Sequence, residues 1–321
     1  MSGIGRTVVV GGGSGFVGRQ LCAYLDQLNY RVVVVGRGAK NKSILSWNDS
    51  SVKRSTFTWQ DIKNHGLPDN TVGVVNLAGE NVLNPLKRWN EEFRKSVYTS
   101  RISTTRVLAE AVSQAAAPPA AFVTMSGVGF YPPGDQPQDE GSPGGQHDFL
   151  AKLAVAWEDA AKLPAGCGAR SVSLRSGVVL GRNGGMIQQL LPAFYMGFGG
   201  RMGSGEQPLA WIHVKDLAKL IIHCIENTKC EGVINAVAPQ TITNQQFVNQ
   251  FAKSLNRPAI FPTPEFVFDA VFGAERAAMI TKGQVVKPVR ALSTGFNYSF
   301  PTVEDACNEC AHLFYQDPDG L

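Results

Sequence analysis

A β-branched run, Thr7-Val8-Val9-Val10, stops at Gly11-Gly12-Gly13-Ser14-Gly15, and Phe16-Val17-Gly18 follow directly. Few folds accommodate such a stretch. The β-branched run favours a strand, and the glycines allow a sharp reversal at its end. Beyond them Phe16, Val17, Leu21, Tyr24, Leu25 and Leu28 recur at helical spacings of three and four. The loop reads either as G-x-x-G-x-x-G (Gly12, Gly15, Gly18) or as G-x-G-x-x-G (Gly13, Gly15, Gly18). Both readings share one physics: glycines let the backbone approach a ligand, and a helix N-terminus offers free N–H groups and partial positive charge to a pyrophosphate. Gly18 would let the helix pack on the strand. At Gly15 a Cβ would take the pyrophosphate's space or force the turn out of its φ range. A dinucleotide site is expected, with a merely structural turn as the alternative. Glycine is in excess throughout, 34 of 321 residues or about 11% against a usual ~7%, so position rather than presence carries this reading.

The first half then alternates strand and helix. Arg31–Val35 is a second strand, whose unbroken valines suit burial on both faces of a parallel sheet. Val72–Leu77 and Ala121–Ser126 read as the third and fourth strands, with a helix from about Trp89 to Gln114 between them. Ser171–Arg175 is the fifth, after a helix over roughly Phe149–Lys162. Such alternation implies right-handed crossovers and a doubly wound parallel sheet, an α/β fold of Rossmann type. From Gly181 to Pro208 glycine and proline cluster; a helix (Val214–Asn227), a strand (Gly232–Val237) and a helix (Asn244–Leu255) follow. The expected organisation is a nucleotide-binding domain over 1–180 with return segments from about 209–240, and a smaller substrate-side lobe drawn mainly from 181–321.

Charge and cysteine usage narrow the partners. A net charge of +4 spread over the chain gives no footing for nucleic acid. Six irregularly spaced cysteines form no disulfide framework and read as reduced thiols, so the expected location is intracellular and reducing: the cytoplasm first, an imported organelle protein second. Met1–Arg6 has neither the apolar core of a secretory leader nor the Arg/Ser-rich pattern of a transit peptide. Ala111–Gly134 is uncharged and long enough to span a bilayer, but Pro118, Pro119, Gly127, Gly129, Pro132 and Pro133 break it as a helix, so no membrane insertion is expected.

The end of the second strand selects the cofactor. An NAD site places a carboxylate on the ribose 2′-hydroxyl about 20 residues after the glycines. Here Val35 is followed by Gly36-Arg37-Gly38-Ala39-Lys40, with no carboxylate. The Arg37 guanidinium suits a 2′-phosphate and can lie across the adenine, so NADP(H) is expected; a solvated surface arginine is the alternative. Asn76-Leu77-Ala78-Gly79 closes the third strand with small residues beside which a cofactor can run. Arg101, five residues after Ser96, reads either as a phosphate ligand or as a solvated helix charge.

These segments resemble the extended short-chain dehydrogenase/reductase superfamily, and within it the epimerase family in its nucleotide-sugar-epimerase-like group, family 39U. Further matching blocks are Arg88-Trp89-Asn90, Ser100-Arg101, Leu174–Gly181, Trp211–Leu217, Gly232–Pro239 and Gly295–Pro301, so the resemblance runs the length of the chain. It implies a cofactor site lined by Gly36, Arg37, Leu77, Ala78, Ser96, Arg101 and Val179, beside the loop residues Gly12, Gly15, Phe16, Val17 and Gly18 and the turn at Gly79.

The catalytic signature of that superfamily is missing. It uses a Ser, a Tyr and a Lys four residues after the Tyr, the Lys lowering the tyrosine pKa while hydride moves to or from the nicotinamide. None of the seven tyrosines here has a Lys four residues on. Where the pair belongs the chain reads Phe149-Leu150-Ala151-Lys152-Leu153-Ala154, so Phe149 or Leu150 replaces the Tyr, and Lys152 is out of step. Ser126 keeps the serine position; the expected proton donor is Tyr131 or Ser126, Tyr131 first with Ser126 polarising the carbonyl, unless Tyr131 merely covers the nicotinamide. Two functions follow: an NADP(H)-dependent oxidoreductase acting on an unidentified small carbonyl or alcohol, or a cofactor-stabilised binding or assembly protein whose partner is another protein. In the first, an unassisted tyrosine is a better acid than base at neutral pH, which favours slow carbonyl reduction over alcohol oxidation. Other features read blandly. Cys307-x-x-Cys310 with His312 is expected to be two half-buried thiols rather than a metal site, and Cys224 and Cys230 small apolar residues. His213 is expected to order the next helix, and Phe266, Phe268, Val271 and Phe272 to be core. Arg182, Arg201 and the glycines of Gly197–Gly205 are candidates for closing over substrate.

Overall fold

The computed structural model describes residues 5–38, 53–84 and 86–311. The chain runs β1 (Thr7–Gly11), α1 (Phe16–Gln27), β2 (Arg31–Gly36), β3 (Arg54–Thr58), α2 (Trp59–His65), β4 (Thr71–Asn76), α3 (Glu91–Ser113) and β5 (Ala121–Gly127). It continues through β6 (Gly134–Gln138), α4 (Phe149–Ala160), β7 (Arg170–Ser176), β8 (Val178–Leu180), α5 (Gly185–Tyr195), β9 (Pro208–Leu209), β10 (Trp211–His213), α6 (Val214–Glu226) and β11 (Gly232–Ala236). Then come β12 (Ile242–Thr243), α7 (Asn244–Ser254), α8 (Glu265–Phe272), α9 (Ala274–Thr281), β13 (Gln284–Val286), α10 (Val289–Ser293) and α11 (Val303–Ala311).

The main sheet has seven strands in the order β11-β7-β5-β4-β1-β2-β3, all paired in parallel. From β1 the chain builds outward to β3, returns to β4, and builds the other way to β11. That reversal opens a crevice at the carboxyl ends of β1 and β4, where Gly11 pairs with both Val35 and Asn76. The valine runs explain the two-sided burial. Val8, Val10, Val32 and Val34 pack with Leu21 and Leu25 of α1 and Leu217 and Ile221 of α6 on one face. Val9, Val33, Val35 and Val74 pack with Ile62 of α2 and Leu108 and Val112 of α3 on the other. Each buried valine contributes roughly 1.5–3 kcal/mol, so a strand buried on both faces is held strongly.

The sequence reading passes from the second strand to Val72–Leu77 and misses β3 and α2. β3 is an edge strand in which just Ser55 and Phe57 are buried, too short and polar to register as a strand. β11 rejoins the main sheet beside β7, and α6 packs against the α1 side. A second apolar cluster unites Ile187 and Phe194 of α5 with Phe247 and Phe251 of α7 and Cys307 and Cys310 of α11. One expectation is reversed: α8 buries no residue, and Phe266 and Val271 are exposed. All six thiols are free. Among the described residues no helix is long and apolar enough to cross a membrane.

Candidate functional site

The glycines after β1 divide three tasks. Gly12 takes φ +75°, and a Cβ there would stand 2.8 Å from Ala78 N and 2.9 Å from Leu77 C, so the turn rests on the backbone leaving β4. A Cβ on Gly18 would lie 2.4 Å from Gly12 O and 2.6 Å from Gly13 Cα, which is the expected packing role. Gly15 is different. Its φ of −74° suits any residue, which corrects the expectation of backbone strain there. A Cβ on it would meet Gly12 O at 3.3 Å and nothing else within 4 Å. Gly15 therefore keeps a space clear rather than enabling a turn. It is also the N-cap of α1, offers no side-chain hydrogen bond, and precedes a first turn without acidic residues. Uncapped N–H groups facing open space fit a pyrophosphate.

Neighbouring elements complete this cradle. Phe16 lies against the loop entering α5: a Cβ on Gly181 or Gly184 would come within 2.8 and 2.4 Å of its ring. Val17, Leu77 and Val179 are partly buried against the α1–α6 core, Val179 on β8 pairing with Ile212. Gly12 N donates to Val35 O at 2.9 Å, bringing the end of β2 to the loop. Gly36 ends that strand opposite Thr58, and Arg37 follows it exposed; Ala39 and Lys40 lie outside the described residues. Buried Asn76 donates to Thr105 Oγ1 (2.8 Å) and accepts from Ala78 N (3.1 Å), fixing the segment beside the cradle.

Arg101 is not a solvated helix charge. It donates to Val97 O (3.1 Å) and Glu80 O (3.0 Å) and lies 5.0 Å over the Trp157 ring. A Cβ on Gly79 would stand 3.0 Å from its guanidinium carbon. Burial pulls its pKa down to about 10 against the opposing charge of Glu80. It is a brace for residues 79–80. Ser96 is exposed on α3; the hydroxyl that ties down this segment is Ser100, accepting from Glu80 N at 3.0 Å.

A cavity of about 670 Å³ opens at the carboxyl ends of β5 and β7 and is walled by α4 and α9. Leu150, Leu153, Ala154 and Trp157 of α4 face it, whereas Phe149 packs edge-on against Trp89 at 5.4 Å. Of the two residues that could stand for the Tyr, Leu150 is the one that faces the cavity, with Ala154 four residues on. Lys152 is exposed. The closing wall is Ala278, Met279 and Lys282 from α9 and the residue after it, rather than Arg182, Arg201 or Gly197–Gly205.

Ser126, at the cavity floor, donates to Glu158 Oε1 at 2.9 Å. Glu158 in turn grips Arg175 through two bonds, Nε–Oε1 and Nη2–Oε2, both 2.8 Å. Arg175 lies 3.4 Å from the centre of the Phe130 ring and donates to the Tyr131 hydroxyl at 3.0 Å. That hydroxyl gives its proton to Asn235 Oδ1 at 2.8 Å. Ser126, Arg175 and Asn235 are register neighbours across β5, β7 and β11, so the network is a row of side chains at one sheet edge. Tyr131 lines the cavity but is fully buried. Burial raises its pKa, outweighing Arg175 and Asn235, which pull it down. Its hydrogen is directed at Asn235 rather than into the cavity. Glu158 and Arg175 are the site residues that sequence reasoning missed.

His213 caps α6 as expected, its ring accepting from Lys215 N, and stacks on Phe300 with ring centres 3.9 Å apart. His213, Glu309 and Cys310 bring ligand atoms within 4.8 Å of one another, but Glu309 is already bonded to His213 (3.0 Å) and Lys215 (3.3 Å). Burial holds Cys310 strongly protonated, which opposes thiolate ligation. His312 lies outside the described residues.

Comparison with known proteins agrees with this architecture. Residues 8–236 match the NAD dependent epimerase/dehydratase family, and 263–310 match a domain of unknown function, DUF1731. The epimerase family protein SDR39U1 of Homo sapiens is 44% identical over 303 residues, spanning 94% of this chain and 98% of that protein. The chloroplastic SDR39U1 homolog of Arabidopsis thaliana is 36% identical over 306 residues, spanning 94% and 85%. A crystal structure of the human protein (isoform 2) with NADPH superposes with a TM-score of 0.89 at 44% identity, covering 95% of this chain and 99% of that one.

Proposed function

Because the chain belongs to the NAD dependent epimerase/dehydratase family, we propose that it binds NADP(H) and exchanges hydride with a small carbonyl or alcohol held in the cavity beside Ser126. The NADPH-bound human relative supports the cofactor, as do the cleared space at Gly15 and the position of Arg37. Gly12, Gly15 and the first turn of α1 would hold the pyrophosphate, Arg37 the 2′-phosphate, and Leu77–Gly79 and Val179 the walls. The cofactor supplies or accepts the hydride; the proton is left to the protein.

The observation that carries this reading is the Ser126–Glu158 hydrogen bond at the cavity floor. Ser126 gives its one hydrogen to the carboxylate, so it offers lone pairs to a bound molecule and accepts from a substrate hydroxyl. As an alcohol is oxidised, its proton passes to Ser126 Oγ while the Ser126 hydrogen moves to Glu158 Oε1. Reduction runs the same relay in reverse. This replaces the expectation that Tyr131 is the donor and removes its reason for favouring reduction. The free thiols favour a reducing intracellular compartment, and the chloroplastic relative supports an organelle as readily as the cytoplasm.

Single-turnover loss of NADPH absorbance with a panel of aldehydes and quinones tests the proposal. Ser126→Ala should slow hydride transfer ~100-fold or more, the usual worth of a positioned proton-transfer group, whereas Tyr131→Phe should retain most of the rate in the folded fraction. Equal rates in wild type and Ser126→Ala would remove Ser126 from the chemistry. Inertness of the wild type across the panel would instead favour a cofactor-stabilised protein that binds a protein partner, a reading supported by the apolar Leu150/Ala154 pair.

A further inference from the structure

The walls of the cavity restrict what can enter it. Met125, Leu150, Leu153, Trp157, Val178 and Met279 line it on three sides. Its polar groups are largely committed within the protein. Arg101 gives two of its N–H groups to backbone carbonyls, Ser126 gives its one hydrogen to Glu158 and keeps only acceptor capacity, and Tyr131 is bonded to Asn235 and Arg175. Gln284 Nε2 donates to Val128 O at 2.7 Å, Glu275 accepts from Trp89 and Arg94, and His147 faces Asp148 at 3.6 Å. Among the described residues Lys282 is the cation in these walls whose ammonium has no hydrogen-bond or ion-pair partner. A sugar nucleotide brings a doubly charged pyrophosphate and a ring of hydroxyls, and each group buried without a partner costs roughly ten- to a hundredfold in affinity. A flat apolar molecule loses nothing on entering such walls, and about 670 Å³ is ample for one or two fused rings.

From these walls we infer that the cavity takes a predominantly apolar carbonyl compound or its alcohol, carrying at most one anionic group opposite Lys282, and that it excludes sugar nucleotides. The inference rests on the reading of this cavity as the substrate site. It is tested by binding, independently of turnover. Full-length protein saturated with NADP⁺ is titrated by calorimetry with 2-acetylnaphthalene, with 6-acetyl-2-naphthoic acid and with UDP-glucose. Both ketones should bind, and UDP-glucose at least ~100-fold more weakly, the factor expected from unpartnered phosphates. Ala278→Trp, which adds bulk to the α9 wall from a half-buried position, should weaken both ketones ~10-fold or more while leaving NADP⁺ affinity unchanged. Lys282→Met should weaken the acid several-fold and spare the neutral ketone. UDP-glucose binding as tightly as the ketones overturns the inference, as do ketones that fail to bind or ignore Ala278→Trp. If the ketones bind as expected but no carbonyl in the turnover panel ever oxidises NADPH, the oxidoreductase reading falls and the ligand class stands.

Discussion

Glu158→Gln tests the buried network on which the site is built. The Arg175 and Glu158 side chains are 5% and 14% exposed and joined by two 2.8 Å bonds. Removing one charge from such a pair leaves the other buried and uncompensated, a loss of about 3–5 kcal/mol. Glutamine keeps one acceptor oxygen for Arg175 or Ser126, which sets the expectation near the lower end, ~3 kcal/mol. At ~2 cal/mol/K per residue, a chain of 321 residues loses about 1.5 °C of Tm per kcal/mol, so the shift should be about 4–5 °C. Calorimetric melting in the absence of nucleotide measures it. The physical cause is checked by Glu158→Leu with and without Arg175→Met. If the penalty is an orphaned guanidinium, the double variant melts higher than Glu158→Leu alone, because no unpaired charge remains. A Tm change under about 1 °C for Glu158→Gln, or a double variant whose losses simply add, would show that the pair is not the support described here.

Three further outcomes follow from the geometry. Gly15→Val should abolish NADPH binding in a fluorescence titration yet change the ligand-free Tm little, since its φ of −74° accepts a side chain; Gly12→Ala, at φ +75° and against Ala78 N, should instead lower the Tm. Arg37→Asp should erase or reverse a preference for NADPH over NADH, and equal wild-type affinities for the two would refute the assignment. Tyr30 is 1% exposed, and its pKa is raised to about 12, first by burial and then by its bond to Glu226. A raised phenol stabilises the fold fully below its unfolded pKa of ~10 and loses that contribution as pH climbs toward the folded value. Tyr30→Phe should therefore cost ~1 kcal/mol at neutral pH and flatten the fall of the urea midpoint between about pH 10 and 12. An unchanged alkaline slope would dismiss Tyr30 as its source.

What could be read without coordinates was whatever burial writes redundantly. The valines of β1 and β2 are apolar at every position because both sheet faces are covered, so strand and parallel pairing are legible together. β3 carries the same fold information in Ser55 and Phe57 alone, because an edge strand has one neighbour and needs fewer apolar residues. α8 misled in the opposite direction. Its phenylalanines have helical spacing, but among the described residues no element lies over Phe266 and Val271, and periodicity cannot supply such a layer.

The site was half legible for a related reason. The cofactor cradle is made by backbone, and backbone demands are written locally as glycines: Gly12 for its φ, Gly15 for space, Gly18 for packing. Ser126, Glu158 and Arg175 are side chains brought together across β5, β7 and α4, and nothing local announces that meeting. One signal was nevertheless present. Arg175 is a charge at the end of a strand of the central sheet, and a buried guanidinium requires an acid from an adjacent element. The preceding helix offers it in a telling position. Leu150, Ala154 and Glu158 follow at intervals of four, one stripe on α4, the first two facing the cavity and the third bonded to Ser126. The turns that hold a Tyr and a Lys in the superfamily are apolar here, and the ionisable group stands one turn further along the same stripe. Loss of the Tyr–Lys pair therefore does not leave Ser126 without an ionisable neighbour. It leaves a serine backed by a carboxylate instead of a tyrosine backed by an ammonium, which changes the hydroxyl facing the cavity from a donor into an acceptor.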